Sequence, residues 1–194
     1  NPATYTIETP TISFAAPTKD RTGYTFKNWS PSSIAKGSTN NKTITAQWTA
    51  NTYTVTLNQQ SGTGGTTSVT ATYDAAMPAI TKPTRNGYTF GGYYTATNGG
   101  GTQYYNANGA SSKNWDKTAA TTLYAKWTAN QYTITWNANG GSVTPTSSTY
   151  IYDGDPVTLP TPTRTGYTFN GWFTAASNGE KINDVGKDNK PASN

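Results

Sequence analysis

The chemistry open to this chain is bounded first by residues it does not have. It contains no His and no Cys. The usual general base, the commonest metal ligand and the thiolate nucleophile are therefore missing. Nine carboxylates remain: Glu8, Asp20, Asp74, Asp116, Asp153, Asp155, Glu180, Asp184 and Asp188. Glycoside hydrolysis needs two of them facing each other across a cleft, and none is read as sitting at a recurring position that suggests one. Asp153-Gly154-Asp155 has the flavour of a calcium loop but lacks the further oxygen ligands such a loop carries. An Asx turn entering Pro156 is the expected structure there. A Lys–Asn isopeptide crosslink needs an acidic neighbour, and the two glutamates, Glu8 and Glu180, do not repeat. The expectation is a non-enzyme with no cofactor and no metal.

Aromatic rings are the other chemically useful groups, because their faces stack on sugars. Trp115, Tyr104 and Tyr105 are the candidate ligand contacts. They lie in a stretch, Gly99–Thr118, that has no counterpart elsewhere in the chain and reads as a surface loop. Phe26, Phe90, Phe169, Trp48 and Trp127 read differently. They recur at fixed places and alternate with Thr, as inward-facing core residues do.

Those fixed places are set by an internal repeat. Gly-Tyr-Thr-Phe stands at Gly23–Phe26, Gly87–Phe90 and Gly166–Phe169. Ala-x-Trp-Thr-Ala-Asn stands at Ala46–Asn51 and Ala125–Asn130, and a Tyr-Thr-Val/Ile-Thr strand start at Tyr53 and Tyr132. Gly87 and Gly166, Trp48 and Trp127, and Tyr53 and Tyr132 are each 79 residues apart. The reading is a partial repeat over 1–51 that lacks its opening strand, a complete repeat over 52–131, and a partial repeat over 132–194 that lacks its closing strand. The absence of a starting Met and of a leader suggests a mature or excised fragment.

Strand signals fill each unit. Tyr53, Val55 and Leu57 alternate with Thr54 and Thr56, and Tyr132, Ile134 and Trp136 repeat that face. A Gly-rich turn leads to a second strand, giving a hairpin. Pro156 and Pro160 bound a short segment suited to a sheet edge. Gly-Tyr-Thr-Phe opens a third strand, and its glycine is expected to serve a tight turn or a close backbone approach. The arginine before it is expected to be a solvated edge residue. Helix is hard to place; Pro31–Lys36 and Ala110–Lys117 are the loose candidates.

Bulk composition agrees with this. The 194 residues include 40 Thr and 13% aromatics but only 12% charged residues. Thr, Tyr, Trp and Val favour strands. The net charge is +5, and the densest basic stretch, Lys181, Lys187 and Lys190, is interrupted by Asp184 and Asp188. That is no nucleic-acid stripe. No stretch supplies the roughly 20 apolar residues of a membrane-spanning helix.

The motif set resembles the Listeria–Bacteroides repeat, the internalin B-type repeat of bacterial surface proteins. The resemblance is carried by Asn139, Gly140, Gly141, Pro162, Arg164, Gly166, Tyr167, Phe169, Gly171 and Trp172, and by Leu123, Tyr124, Ala125 and Trp127. It implies a mainly β protein of tandem, small, β-grasp-like modules with little helix. It also implies an extracellular setting at the bacterial cell surface, a stalk or adhesion role, and no catalytic residues to carry over. Two other functions are open: a filament subunit joined head-to-tail by strand complementation, and a carbohydrate-binding module. The expected partners are other copies, neighbouring repeats of the parent protein, or host and cell-wall glycans.

Overall fold

In the strand Thr52–Asn58 burial follows the sequence alternation: Val55 and Leu57 are buried, Tyr53 is half-buried and the threonines face solvent. The same logic organises the rest of the computed structural model, which describes residues 2–186. The protein is mainly β. Among the described residues the one helical element is a single 3-10 turn, Thr97–Gly99.

The first repeat contributes β1 (Ile12–Ser13), β2 (Tyr24–Ser30), β3 (Ser33–Ile34) and β4 (Thr45–Ala50). β1 pairs with β3, and β2 pairs antiparallel with β4 so that Phe26 stands opposite Trp48. The candidate helix at Pro31–Lys36 is instead the short strand β3 and its turn.

The middle repeat is a five-stranded sheet. Its strands are β5 (Thr52–Asn58), β6 (Ser68–Thr72), β7 (Tyr88–Tyr94), β8 (Gln103–Tyr105) and β9 (Thr121–Ala129), in the order β6-β5-β9-β7-β8. β5 and β6 form the expected hairpin. The closing strand β9 is inserted between β5, to which it is parallel, and β7, to which it is antiparallel. One face of the sheet buries Val55, Leu57, Ala71, Phe90, Leu123 and Ala125.

The expected surface loop is part of this core. Trp115, Tyr104 and Tyr105 are each 0% exposed. Tyr104 and Tyr105 lie on β8, and the backbone at Trp115 is bonded on both sides of Ala75: Asp74 N donates to Trp115 O (2.8 Å) and Trp115 N donates to Ala75 O (2.9 Å). These extended bridges occupy the stretch considered for a helix at Ala110–Lys117. The segment returns across the hydrophobic face and covers it, so its large rings point inward.

The third repeat contributes β10 (Gln131–Thr135) and β11 (Ser147–Ile151), paired antiparallel, and β12 (Trp172–Phe173) and β13 (Lys181–Ile182), also paired. Here one expected core residue is displaced: Phe169 is 40% exposed. Phe26 and Phe90 each pack edge-on against the closing-strand tryptophan, Trp48 or Trp127, at 5.5 Å between ring centroids. Among the described residues the third repeat has no such strand, so Phe169 has no such cover. Lys187, Asp188 and Lys190 lie outside the described residues.

Candidate functional site

The Gly-Tyr-Thr-Phe motif begins with a turn. The amide of the tyrosine donates to the carbonyl of the arginine three residues earlier, in Tyr24–Arg21 (3.0 Å), Tyr88–Arg85 (3.1 Å) and Tyr167–Arg164 (3.1 Å). The glycine occupies the third position with φ of +76°, +73° and +78° in turn, a backbone region that glycine enters at no steric cost. The turn brings the arginine over the tyrosine ring. Arg21 lies 3.8 Å above Tyr24, Arg85 3.8 Å above Tyr88 and Arg164 3.9 Å above Tyr167. The guanidinium is a cation over a π face rather than a solvated edge charge. Arg85 and Arg164 also reach the hairpin turn, donating to the carbonyls of Gln60 (3.5 Å) and Asn139 (2.9 Å).

This turn is one half of a joint between successive repeats. The other half is the Tyr-Asp pair that ends the second strand of the next repeat. The Tyr73 ring lies over Gly23, and the Tyr152 ring over Gly87. A Cβ on Gly23 would stand 2.3 Å from Tyr73, and one on Gly87 2.2 Å from Tyr152. Only glycine admits rings that close. Edge-to-face contacts follow, with centroids 5.7 Å apart for Tyr24–Tyr73 and 5.6 Å for Tyr88–Tyr152. The tyrosine hydroxyls then reach across to the acids: Tyr24 donates to Asp74 (3.2 Å) and Tyr88 to Asp153 (2.9 Å). Burial, with Asp74 beside it, raises the Tyr24 pKa above its ordinary value.

The linker asparagine locks the two halves. Asn51 and Asn130 donate their amides to Gly23 O and Gly87 O, at 2.9 Å each. Their side-chain oxygens accept from the Thr25 hydroxyl (2.6 Å) and the Thr89 hydroxyl (2.7 Å). Their carbonyls accept from the next repeat, from Tyr73 N (2.8 Å) and Tyr152 N (2.9 Å). One residue is thus bonded to both neighbours. Asn86 adds a bond to the Tyr152 hydroxyl (3.1 Å) at the second joint, where the first has Thr22.

Asp74 and Asp153 do recur 79 residues apart, contrary to the reading that no carboxylate sits at a repeated position. Their places are in the joints, not in a cleft. The period was there to be read, but the pairing partner of each acid lies in the preceding repeat, which a unit-by-unit alignment does not display. Asp153 therefore serves as a hydroxyl acceptor beside the turn before Pro156. Among the described residues no group of three or more acidic side chains stands together as a metal site would require.

The three candidate ligand contacts have been placed in the core. Tyr104 donates to Asp116 and packs at 5.0 Å on Trp115. Tyr105 donates to Pro78 O (2.9 Å). With no exposed face, none of them is available to stack on a sugar. Burial pushes the hydroxyl pKa of Tyr93 and of Tyr105 up to about 12. Asp116 is held below the usual carboxylate range by Lys113, then by Tyr104.

The family described as Listeria-Bacteroides repeat domain matches residues 53–126 and 132–194. Internalin H of Listeria monocytogenes is 38% identical over 133 residues, 68% of this chain and 22% of its own length. A "Putative Gly-rich membrane protein" of Evansella cellulosilytica is 30% identical over 174 residues, 79% of this chain and 19% of its own length. A "Putative membrane protein" of the same organism is 29% identical over 169 residues, covering 79% of this chain and 23% of itself. The chain therefore spans only about a fifth of these relatives. No solved structure matches it. Residues 1–52 lie outside the family match, yet they build the same glycine turn, Phe–Trp pairing and joint. Two matched repeats joined by one recurring contact place this chain in the Listeria–Bacteroides repeat family.

Proposed function

We propose that this segment is a non-catalytic spacer of a bacterial cell-surface protein, a stalk in which each repeat is docked onto the next. The observation that carries the reading is the joint itself, built twice from the same residues in the same roles. A single asparagine bonded to both sides leaves little rotational freedom between repeats, and a stack so restrained holds its length. Rings, hydroxyls and acids are spent on repeat-to-repeat contact. The neighbouring repeats of the parent protein are accordingly its main partners.

The names of the relatives, an internalin and two membrane proteins, favour an extracellular surface setting. No helix among the described residues is long and apolar enough to cross a membrane. An adhesive role would rest on exposed faces rather than on Trp115, Tyr104 or Tyr105. Small-angle scattering of the chain tests the stalk: an elongated particle is expected, and a compact isotropic one would overturn it.

A further inference from the structure

A cleft of about 450 Å³ lies where three turns of the middle repeat meet. The hairpin turn supplies Asn58 and Gln60, the motif turn Arg85 and Tyr88, and the 3-10 turn Asn98; Trp127 of β9 forms a further wall. All of these belong to one complete repeat with its closing strand in place, and the volume is that of a small-ligand site. The 3-10 turn is seated on β9, since a Cβ on Gly99 would stand 2.6 Å from the Lys126 side chain. That seating fixes Asn98, whose φ is +58°.

The cleft holds one cation. Arg85 is half-buried, its guanidinium lies 3.8 Å above the Tyr88 ring, and one N–H reaches toward Gln60 O at 3.5 Å. Among the described residues no carboxylate pairs with it; the ion pairs there are Lys36–Glu8 and Lys113–Asp116. A guanidinium carries five N–H donors in a planar fork, so most of this one is unused. The amides beside it are also unspent. Asn58 Oδ1 accepts from the Gln60 backbone and side chain, at 3.0 and 2.9 Å. Asn58 Nδ2, Gln60 Oε1 and the exposed Asn98 amide are left without partners among the described residues. A half-buried cation with no counter-ion carries a desolvation cost that a bound anion returns.

We propose that this cleft binds a uronic-acid unit of an acidic polysaccharide. Arg85 takes the carboxylate, the amides of Asn58, Gln60 and Asn98 take ring hydroxyls, and Trp127 lines the apolar side of the sugar. A planar carboxylate meets the guanidinium fork edge-on through two parallel N–H···O bonds, while the guanidinium face stays on Tyr88. One cation matches the one charge that each uronic acid carries. Primary amides offer both a donor and an acceptor, as a sugar hydroxyl does. The 14 Lys and Arg against 9 Asp and Glu favour the approach of a polyanion. The inference needs the middle repeat alone and is independent of the stalk.

The test is titration of the isotopically labelled full chain with trigalacturonate, followed by amide and guanidinium chemical shifts. Saturable shifts are expected at 58–61, 85–88, 98 and 127, with none at 104, 105 or 115. Arg85→Gln should weaken binding at least about tenfold. The motif turn should survive that change, because its bond joins backbone groups, Tyr88 N to Arg85 O (3.1 Å). Asn98→Gly keeps the positive φ, removes only the amide and should weaken binding about threefold. Methyl-esterified trigalacturonate keeps the hydroxyls, loses the charge and should bind at least about tenfold more weakly. Absence of saturable shifts up to ~10 mM trisaccharide would overturn the proposal. So would equal binding of the methyl ester, or unchanged affinity in both variants. Inorganic phosphate that produces the same shifts at the same concentration would make this a general anion site and likewise overturn it.

Discussion

The ring of Tyr152 occupies the space where a side chain on residue 87 would begin: a Cβ there would stand 2.2 Å from the ring. Tyr152 belongs to the third repeat and Gly87 to the second. The motif glycine is therefore kept as much by the next repeat as by its own turn.

Gly87→Ala separates these two demands when set beside Gly166→Ala. Both residues have φ above +70°, so each substitution carries the left-handed strain of about 1 kcal/mol. Gly166 has no described neighbour to strike, whereas Gly87 has Tyr152. Gly87→Ala should therefore cost at least about 1 kcal/mol more than Gly166→Ala in denaturant unfolding. It should also speed hydrogen exchange at the Tyr152 amide. Equal costs for the two variants would mean that the ring moves aside freely.

Trp115→Ala should behave as a core deletion. A fully buried indole packed on Tyr104 typically contributes 3–5 kcal/mol, so about 3 kcal/mol or more of middle-repeat stability should be lost. Chemical denaturation monitored on the middle repeat measures it. A loss under about 1 kcal/mol would return Trp115 to the surface.

Trp115 also marks where the sequence stops being informative. The repeat period placed the Phe26–Trp48 and Phe90–Trp127 pairs, the alternation in β5 and β10, and the glycine turn. Trp115, Tyr104 and Tyr105 occur once, so periodicity could not orient them, and the loop they lie in was read from its extra length alone. The structure buries them because the β5–β9–β7 face needs a cover and the inserted segment supplies the largest apolar rings. The joints were illegible for another reason. Asp74 and Asp153 bond the repeat before them, so the relation crosses the unit boundaries that alignment respects. Phe169 keeps its motif and packs on Trp172, but among the described residues it has no closing-strand tryptophan over it and is 40% exposed.

Tyr93→Phe and Tyr105→Phe should move stability in opposite directions. The Tyr93 hydroxyl is buried with no hydrogen-bond partner among the described residues. Removing it relieves an unpaired polar group and should add about 1 kcal/mol. The Tyr105 hydroxyl donates to Pro78 O, and its removal leaves that carbonyl unpaired, at about 1 kcal/mol of loss. Urea unfolding of the two variants gives the signs directly; a shared sign would contradict the hydrogen-bond assignment.

Alkaline pH should weaken the middle repeat. Burial raises Tyr93 and Tyr105 from 10.0 to about 12, so the folded state holds these protons more tightly than the unfolded state. Their contribution is full below 10.0 and is lost as pH rises toward about 12. Unfolding midpoints measured against pH, with tyrosinate absorbance recorded in parallel, should fall across that window. Tyr93→Phe should flatten the fall, and an unchanged slope in that variant would remove Tyr93 from the effect.

The stalk reading makes its sharpest demand on Asn130. Its amide and side chain hold the second repeat through Gly87 and Thr89, and its carbonyl holds the third through Tyr152. Asn130→Gly keeps the backbone bonds but removes the Thr89 contact and frees the backbone, a change of about 1 kcal/mol. Tyr152→Ala removes the ring over Gly87 and the hydroxyl that Asn86 reaches. Combined, the two should loosen the joint while leaving the β5–β9–β7 sheet intact. Paired labels on exposed β-strand positions of the second and third repeats should report a narrow distance distribution in the parent chain and a broad one in the double variant. The unfolding midpoint of the middle repeat should shift far less than the distribution does. A distribution equally broad in both proteins would mean that the repeats are already free to turn, and that the recurring tyrosines and asparagine do not set the length of the array.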